Sequence, residues 1–494
     1  MKKLIAMLII LTVSAPLLFS CGGEETDGGQ GDIDADGFAV MENGNGAAAE
    51  PADDLYDNLG EFDFGGAEFV MLTRANPRYH HVLNVEEMVG EPFNDAKYAR
   101  SRNLEERFNF TFVEHLHTAD GGGPRARNSI LAGDDVYDII TLHILVTFPM
   151  AVEGMLHPAS VLPHIDLDRP YWNRQLNEDL AIANRQFFAF GAHNLSTYDF
   201  TFMTLFNKQM IEDFGLDCPY ELVRSGRWTF DRFEEMSREV TANLDGTGIM
   251  RGAYDRFGYV SSIWQIMSNF MVSADARSVG KDANGIPYSN MSNPHFLNVF
   301  NRIFEMTWDN NSWYGPHANY LDGSMERIFE EGRALFLDTS FYFVHRLRAM
   351  ETDFGIIPYP KWNESQVNYY SRLSGASAAT VPVTITDPAR LERTSVILEG
   401  MASESMRRVI PAYYDIALLV RAARDEESAE MLDIVFNNRT MDLGNGLWGD
   451  DISAALFMPM IRDNDRDLVS RLEARMPIIQ NLFDSAVEAL TQLD

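Results

Sequence analysis

Carboxylates are the most abundant reactive groups in this sequence, 73 Asp and Glu in 494 residues, and two opposed carboxylates suffice to cut a glycosidic bond. Nothing in their spacing selects a pair. Other constellations that do chemistry do not occur. There is no Gly-x-Ser-x-Gly turn to expose a serine nucleophile, no His-Glu-x-x-His helix, no Gly-rich phosphate loop and no Cys/His cluster. Ser324 and His345 lack a recognisable partner set, and His80-His81 are adjacent rather than one helical turn apart, which is wrong for two ligands on one helix face. No cofactor and no metal are expected. The sequence does offer recognition chemistry: Trp308, Trp313 and Tyr314 gather around the polar turn Asp309-Asn310-Asn311, and ring faces of this kind stack on the C–H face of a sugar. Packing at the edge of a core is the more frequent fate of such residues.

Charge narrows the partners. The formal net charge is −33, so nucleic acid and anionic lipid headgroups are poor partners for the field of this chain as a whole. Acidity of this size is read first as a solvated surface that keeps an exported protein soluble. There are two cysteines, Cys21 and Cys218. Cys21 closes an N-terminal leader, so Cys218 is expected to be alone in the mature chain, a packed and inert thiol rather than a nucleophile.

The leader itself has the three parts of an export signal: Lys2 and Lys3, an apolar stretch from Leu4 to Phe19, and the small residue Ser20 before Cys21. Leu18-Phe19-Ser20-Cys21 resembles the lipobox of bacterial lipoproteins, which implies lipidation at Cys21 and an anchor on the extracytoplasmic face of a membrane. Phe19 is bulkier than the residue usual at its place. From Gly22 to Gly60 the chain has eleven acidic residues, nine glycines and no Lys or Arg. Such a composition cannot bury enough apolar surface to offset its ordering entropy, and residues 21–60 are expected to be a flexible acidic tether.

At 46% apolar content the remainder is long enough for two lobes of more than a hundred residues each. The first begins with a strand, Ala67 to Leu72, a loop Thr73 to Pro77, a helix Ala96 to Arg107 opened by Asn94-Asp95, a strand Phe110 to Glu114 and a buried strand through Tyr137-Asp138-Ile139-Ile140-Thr141. Strands alternating with helices of this length argue for an α/β lobe with a largely parallel sheet. Two apolar runs, Phe187 to Phe190 and Phe200 to Phe206, flank the small-polar segment Ala192 to Asp199. They read as strand, crossing, strand. Asn207 caps a helix that Gly215 ends, Pro219 opens the next segment, and Thr229 caps a helix carrying Phe230, Phe233 and Met236 on one face. Trp228 is more often a core residue than a ligand contact. Helices are also expected over Ile263 to Phe270 and Pro294 to Trp308.

Strand, Asn207-Lys208, short helix, Gly215-Leu216, Pro219-Tyr220-Glu221-Leu222 and Gly226-x-Trp228-Thr229-Phe230-Asp231-x-Phe233 together resemble the first domain crossing of bacterial extracellular solute-binding proteins of family 1, the sugar-capturing subunits of ABC importers. Asn94-Asp95, Leu104 to Asn109, Gly133-Asp134-Asp135-x-Tyr137-Asp138 and Gly332 to Ser340 resemble further features of that family, so the likeness covers most of the chain after residue 60. It implies a two-lobed periplasmic-binding-protein-like α/β fold, each lobe a mostly parallel sheet flanked by helices, with a ligand cleft at the hinge. The lobes would be residues 61–190 with 353–385, and residues 191–352 with 386–494. Asp353 to Ile357 and the turn Pro358-Tyr359-Pro360-Lys361 would return the chain to the first lobe. Relatives often carry a calcium loop after the Trp228 helix. Here Asn243 to Gly248 keep fragments of it, and with Gly248 at the sixth position the twelfth falls on Tyr254, which has no carboxylate to give.

Candidate ligand residues follow from strand ends and from the resemblance, since ligands of open α/β sheets lie beyond the carboxyl ends of strands. They are Asn76, Thr141 and His143 in the first lobe, and Asn194 and Tyr198 in the crossing. In the second lobe they are Trp264, Trp313, Tyr314, Asp338 and Ser340, and in the returning stretch before Thr380, Tyr370 and Ser374. The implied function is capture of a mono- or oligosaccharide by hinge closure and delivery to ABC permease subunits. The chain would act as a monomer, without a cofactor or nucleic acid, touching the membrane through its lipid alone. A secreted polysaccharide hydrolase and a surface scaffold that keeps the fold without transport are the alternatives.

Overall fold

The computed structural model describes residues 53–75, 82–117, 119–315, 324–344, 346–347, 350, 352–418 and 426–492. The leader, Cys21, the tether up to residue 52, Asn76, His80, His81 and His345 lie outside the described residues.

The first sheet contains β1 (Ala67–Arg74), β2 (Phe110–His117) and β3 (Ile139–Thr141), in the order β2-β1-β3 with every pairing parallel. Parallel neighbours need a crossover. Between β1 and β2 it is the helix Pro92–Phe108, which starts four residues earlier than its apolar spacing suggests. Pro92 occupies its first turn, where a missing N–H costs nothing, and the Glu91 carboxylate accepts the next two free amides, from Phe93 and Asn94. Asn109 ends the helix in the left-handed conformation. The chain before β1 is tied down within the expected tether. Arg107 donates to both oxygens of Asp57 at 2.9 and 2.7 Å, the amide of Asp57 donates to Ser403 Oγ at 3.1 Å, and Ser403 Oγ donates to the Leu55 carbonyl at 2.8 Å.

The later strands are β4 (Phe202–Asn207), β5 (Phe257–Val260), the hairpin β6 (Val279–Lys281) and β7 (Pro287–Ser289), β8 (Trp313–Tyr314), β9 (Ala334–Ser340), β10 (Phe354–Ile357), β11 (Ser371–Arg372) and β12 (Arg439–Thr440). The second sheet has the order β10-β4-β9-β5-β8. β5 pairs parallel with β8 on one side and β9 on the other, while β4 runs against both β9 and β10. All residues of β4 and β9 are buried, as expected for unbroken apolar runs covered on both faces. β10 was expected to return with the first lobe. It is held instead by antiparallel pairing of Phe354–Ile357 with Thr204–Asn207.

Among the described residues two extended segments cross between the sheets, besides the helical return that follows Glu404. Phe187–Phe190 is not a strand of its own: Ala189 makes a single two-bond bridge to Ala379, and β4 begins twelve residues on from Phe190. The second crossing runs antiparallel to the first. At its start Leu373 bridges Thr201 and donates to the Thr440 carbonyl, and at its end Thr380 exchanges both backbone bonds with Ile140 of β3. Small residues, Gly375 to Ala379, let this segment lie close against its neighbours.

Cys218 corrects an expectation. It is disulfide-bonded rather than a lone thiol. It stands at the N-terminal end of the helix Pro219–Arg224.

The helix Phe230–Val240 packs directly on β5 through Gly258. A Cβ on Gly258 would overlap the Ser237 backbone, so Gly258→Ala is expected to destabilise the fold by about 1–3 kcal/mol in chemical denaturation.

Candidate functional site

Because β5, β8 and β9 run parallel, the residues that follow them emerge at one edge of the second sheet, where ligands of such sheets lie. After β5 the chain reads Ser261-Ser262-Ile263-Trp264-Gln265 and then enters the helix Ile266–Ser273. Trp264 is 44% exposed, whereas the other six tryptophans are buried or half-buried. Trp228 is fully buried, with its indole N–H donating to the Pro358 carbonyl at 2.9 Å. Trp264 is thus the tryptophan with a face to offer.

Beneath this edge lies a buried polar network. Asp338, on β9, accepts hydrogen bonds from Ser261 Oγ and Tyr359 OH, and Asn269 Nδ2 is 3.0 Å from each of its oxygens. Burial pushes the Asp338 carboxyl up, and these donors and the nearby Arg372 charge pull it back. Arg372, on β11, is 5% exposed and lies over the Phe202 ring at 5.3 Å. Its Nη1 donates to Gln265 Oε1 at 2.9 Å and Asn269 Oδ1 at 3.0 Å. Its Nη2 donates to Ser374 Oγ at 2.8 Å and Asn445 Oδ1 at 2.7 Å, and its Nε to Asn445 Oδ1 at 2.9 Å.

The first sheet meets this network through the second crossing. His143, just after β3, caps the following helix by accepting the Leu145 amide on Nδ1 at 3.0 Å, and a Cβ on Gly375 would stand 3.2 Å from its Nε2. Ser196 and Ser377 bind each other reciprocally, and Asn194 Oδ1 accepts the Ser196 amide at 2.7 Å. Around these contacts several buried groups have no partner among the described residues: Thr141 Oγ1, Asn194 Nδ2, Ser377 Oγ, and at the strand ends of the second sheet Ser262 Oγ and Ser340 Oγ. Orphaned buried donors and acceptors are costly, and each is a place for a ligand hydroxyl or a water.

The sequence-predicted residues divide accordingly. Thr141, His143, Asn194, Ser340, Ser374 and Trp264 come to the strand ends and the crossing. Asp338 belongs to the interior network. Tyr198 is in the core, its ring against Phe436 at 5.2 Å with the Arg439 guanidinium over it at 4.4 Å. Trp313 donates to the Ser261 carbonyl at 3.2 Å and packs on Trp308, and Tyr314 packs against Phe257 and leaves no room for a Cβ on Gly252. Tyr370 lies under Arg277, 5.2 Å from its guanidinium. Asn76 is outside the described residues. Gln265, Asn269, Arg372 and Asn445 were missed. The signal for Arg372 was a single cation inside an otherwise small and apolar stretch, Tyr369 to Ala379. The loop after the Trp228 helix closes on an amide. Asn243 Nδ2 lies 3.2 Å from each of Asp245 Oδ1, Ile249 O and Asp255 Oδ1.

No protein-family model matches the sequence, and no curated protein matches it. Solved structures do. UspC of Mycobacterium tuberculosis superposes with a TM-score of 0.56 at 13% identity, over 85% of this chain and 100% of UspC. An ABC substrate-binding protein of Listeria monocytogenes in complex with cycloalternan gives 0.53 at 11%, over 84% and 99%. UgpB of Mycobacterium tuberculosis in complex with glycerophosphocholine gives 0.53 at 16%, over 84% and 98%. The chain has the ABC solute-binding-protein fold. In this binding-protein fold the network around Arg372 lies where the second crossing leaves β11, and the orphaned hydroxyls flank it on both sheets.

A carboxylate backs the first crossing. Glu399 accepts Tyr171 OH at 2.5 Å, Trp172 Nε1 at 2.8 Å and the Asp166 amide at 3.3 Å. Trp172 in turn bridges Gly191 and packs on His193, which burial beside Arg100 keeps neutral by lowering its pKa to about 3. Burial raises Glu399 from 4.5 to about 7, against the pull of its three donors. A raised carboxyl binds its proton more tightly folded than unfolded, so its contribution to stability is complete below pH 4.5 and is lost as pH rises through 7. Glu399→Gln removes that loss. The variant-minus-wild-type stability, from denaturation at a series of pH values, should climb between pH 4.5 and 7 by on the order of 3 kcal/mol. A flat difference would show that Glu399 titrates normally.

Proposed function

We propose that this chain is the extracytoplasmic, lipid-anchored binding subunit of an ABC importer and that it captures a mono- or oligosaccharide by closing its two lobes around it. The observation that carries the reading is the pairing of Trp264, an exposed indole, with orphaned buried hydroxyl and amide groups at the strand ends and the crossing. Sugars present that combination in reverse, with apolar C–H faces for an aromatic ring and hydroxyls for short polar side chains. The cycloalternan complex of the Listeria protein supports a carbohydrate, while UgpB shows that the same fold also takes glycerophosphocholine. Hinge closure needs two sheets joined by few strands, and the two antiparallel crossings meet that need. The ligand passes to permease subunits, and the chain acts as a monomer.

Thermal shift of the chain from Gly22 onward, against mono- and oligosaccharides with amino acids, peptides and polyamines as controls, tests the reading. A saccharide at millimolar concentration should raise the melting temperature by mass action without being consumed. Trp264→Ala should leave unliganded stability within about 0.5 kcal/mol, because the ring is exposed, and weaken the saccharide about tenfold. A response only to amines or peptides would remove the sugar, and turnover of the saccharide would make the protein a hydrolase.

The anchor rests on Cys21, and among the described residues no helix is long and apolar enough to cross a membrane. Mass spectrometry of the mature protein from membranes is expected to show an acylated Cys21 at the N-terminus. An unacylated Cys21 would overturn the anchor.

A further inference from the structure

Three amide side chains give their oxygens to Arg372, and they spend their NH2 groups differently. Asn269 Nδ2 donates to Asp338 and to Tyr359 OH at 2.9 Å. Asn445 Nδ2 donates to Ser268 Oγ at 3.2 Å and to Ser453 Oγ. Gln265 Oε1 is likewise turned inward to Arg372 Nη1, but its Nε2 donates to no described residue. Gln265 is 9% exposed and directly follows Trp264. An amide whose oxygen is fixed inward must present its NH2 on the other side, so the orientation of this group is set by the guanidinium rather than by rotation of the side chain.

Resting on the reading of this edge as the ligand site, we propose that Gln265 is a specificity-determining donor that hydrogen-bonds a ligand oxygen beside Trp264, and that Arg372 is the positioning residue that aims it. The five N–H donors of Arg372 are matched by neutral acceptors on the helix that follows Trp264, on the crossing and on Asn445. Its work is therefore to hold acceptors in place, and the ligand meets the amide, not the charge. The ligand atom selected is an acceptor, a hydroxyl or ring oxygen, and a cationic ammonium group is refused at this point.

Gln265→Glu separates the two roles. A carboxylate keeps an oxygen on Arg372 and loses the NH2, so this variant should melt at or above the wild-type temperature while binding about tenfold more weakly. Arg372→Lys should also weaken binding, and if Arg372 acts through Gln265 its effect should largely vanish in the Gln265→Glu background, a non-additivity that a merely structural arginine would not produce. The probe is maltotetraose or, if wild type gives no shift with it, whichever saccharide, amino acid or peptide of the panel gives the largest, and a chain that responds only to polyamines would overturn the proposal. A non-saccharide probe with the same pattern would remove the sugar and keep this proposal. Wild-type affinity in Gln265→Glu, additive losses in the double variant, or a wild-type chain that binds no member of the panel would overturn it.

Discussion

A guanidinium taken out of water has to replace five hydrogen bonds at once, and around Arg372 that requirement organises the structure. Its acceptors come from the helix after β5, from the crossing strand itself and from the segment after β12. Those pieces are distant in sequence and meet because each supplies an oxygen. One of the three amides then reaches Asp338, which ties β9 and the turn after β10 to the same point. Removing any partner would leave a buried charge or donor unmatched, and that costs more than the hydrogen bond itself is worth. The network therefore fixes where the second crossing leaves β11, which pairs with β12.

Rigidity at that end contrasts with the composition of the crossing. Between Ser374 and Ala379 the chain consists of small residues, and its contacts to the first sheet are two-bond bridges rather than a long ladder. Short pairings with few side-chain locks are where a backbone can absorb a change of angle. One unpaired hydroxyl, Ser377 Oγ, lies on this stretch, and Thr141, Ser262 and Ser340 stand at the strand ends on either side of it.

Much of the architecture was legible, for local reasons. Asn207 accepting the Met210 amide and Gly215 in the left-handed conformation follow from residue type alone. The unbroken apolar runs of β4 and β9 could only be strands buried on both faces. What was not legible depended on pairing across the chain. Phe354–Ile357 reads as a strand whichever sheet receives it, and only its register with β4 decides. Asp338 looked like a ligand group because it stands near a strand end, yet its neighbours Ser261, Asn269 and Tyr359 lie far off in sequence and draw it inward. The rings of Tyr198 and Tyr314 pack on Phe436 and Phe257 for the same kind of reason: an aromatic residue in a polar segment carries no mark of the ring it will meet. Trp264 stood out in the structure because every other tryptophan had found cover.

The clamp of Asp57 by Arg107 and Ser403 has a mechanical meaning. Both partners belong to helices flanking the first sheet, Pro92–Phe108 and Pro388–Glu404. A pull on the chain ahead of Asp57 would therefore enter through these two helices, and the second continues without a break through Ser405–Val409 into Ile410–Leu418, whose Tyr413 packs on Phe341 just after β9, so the load would be shared by both sheets.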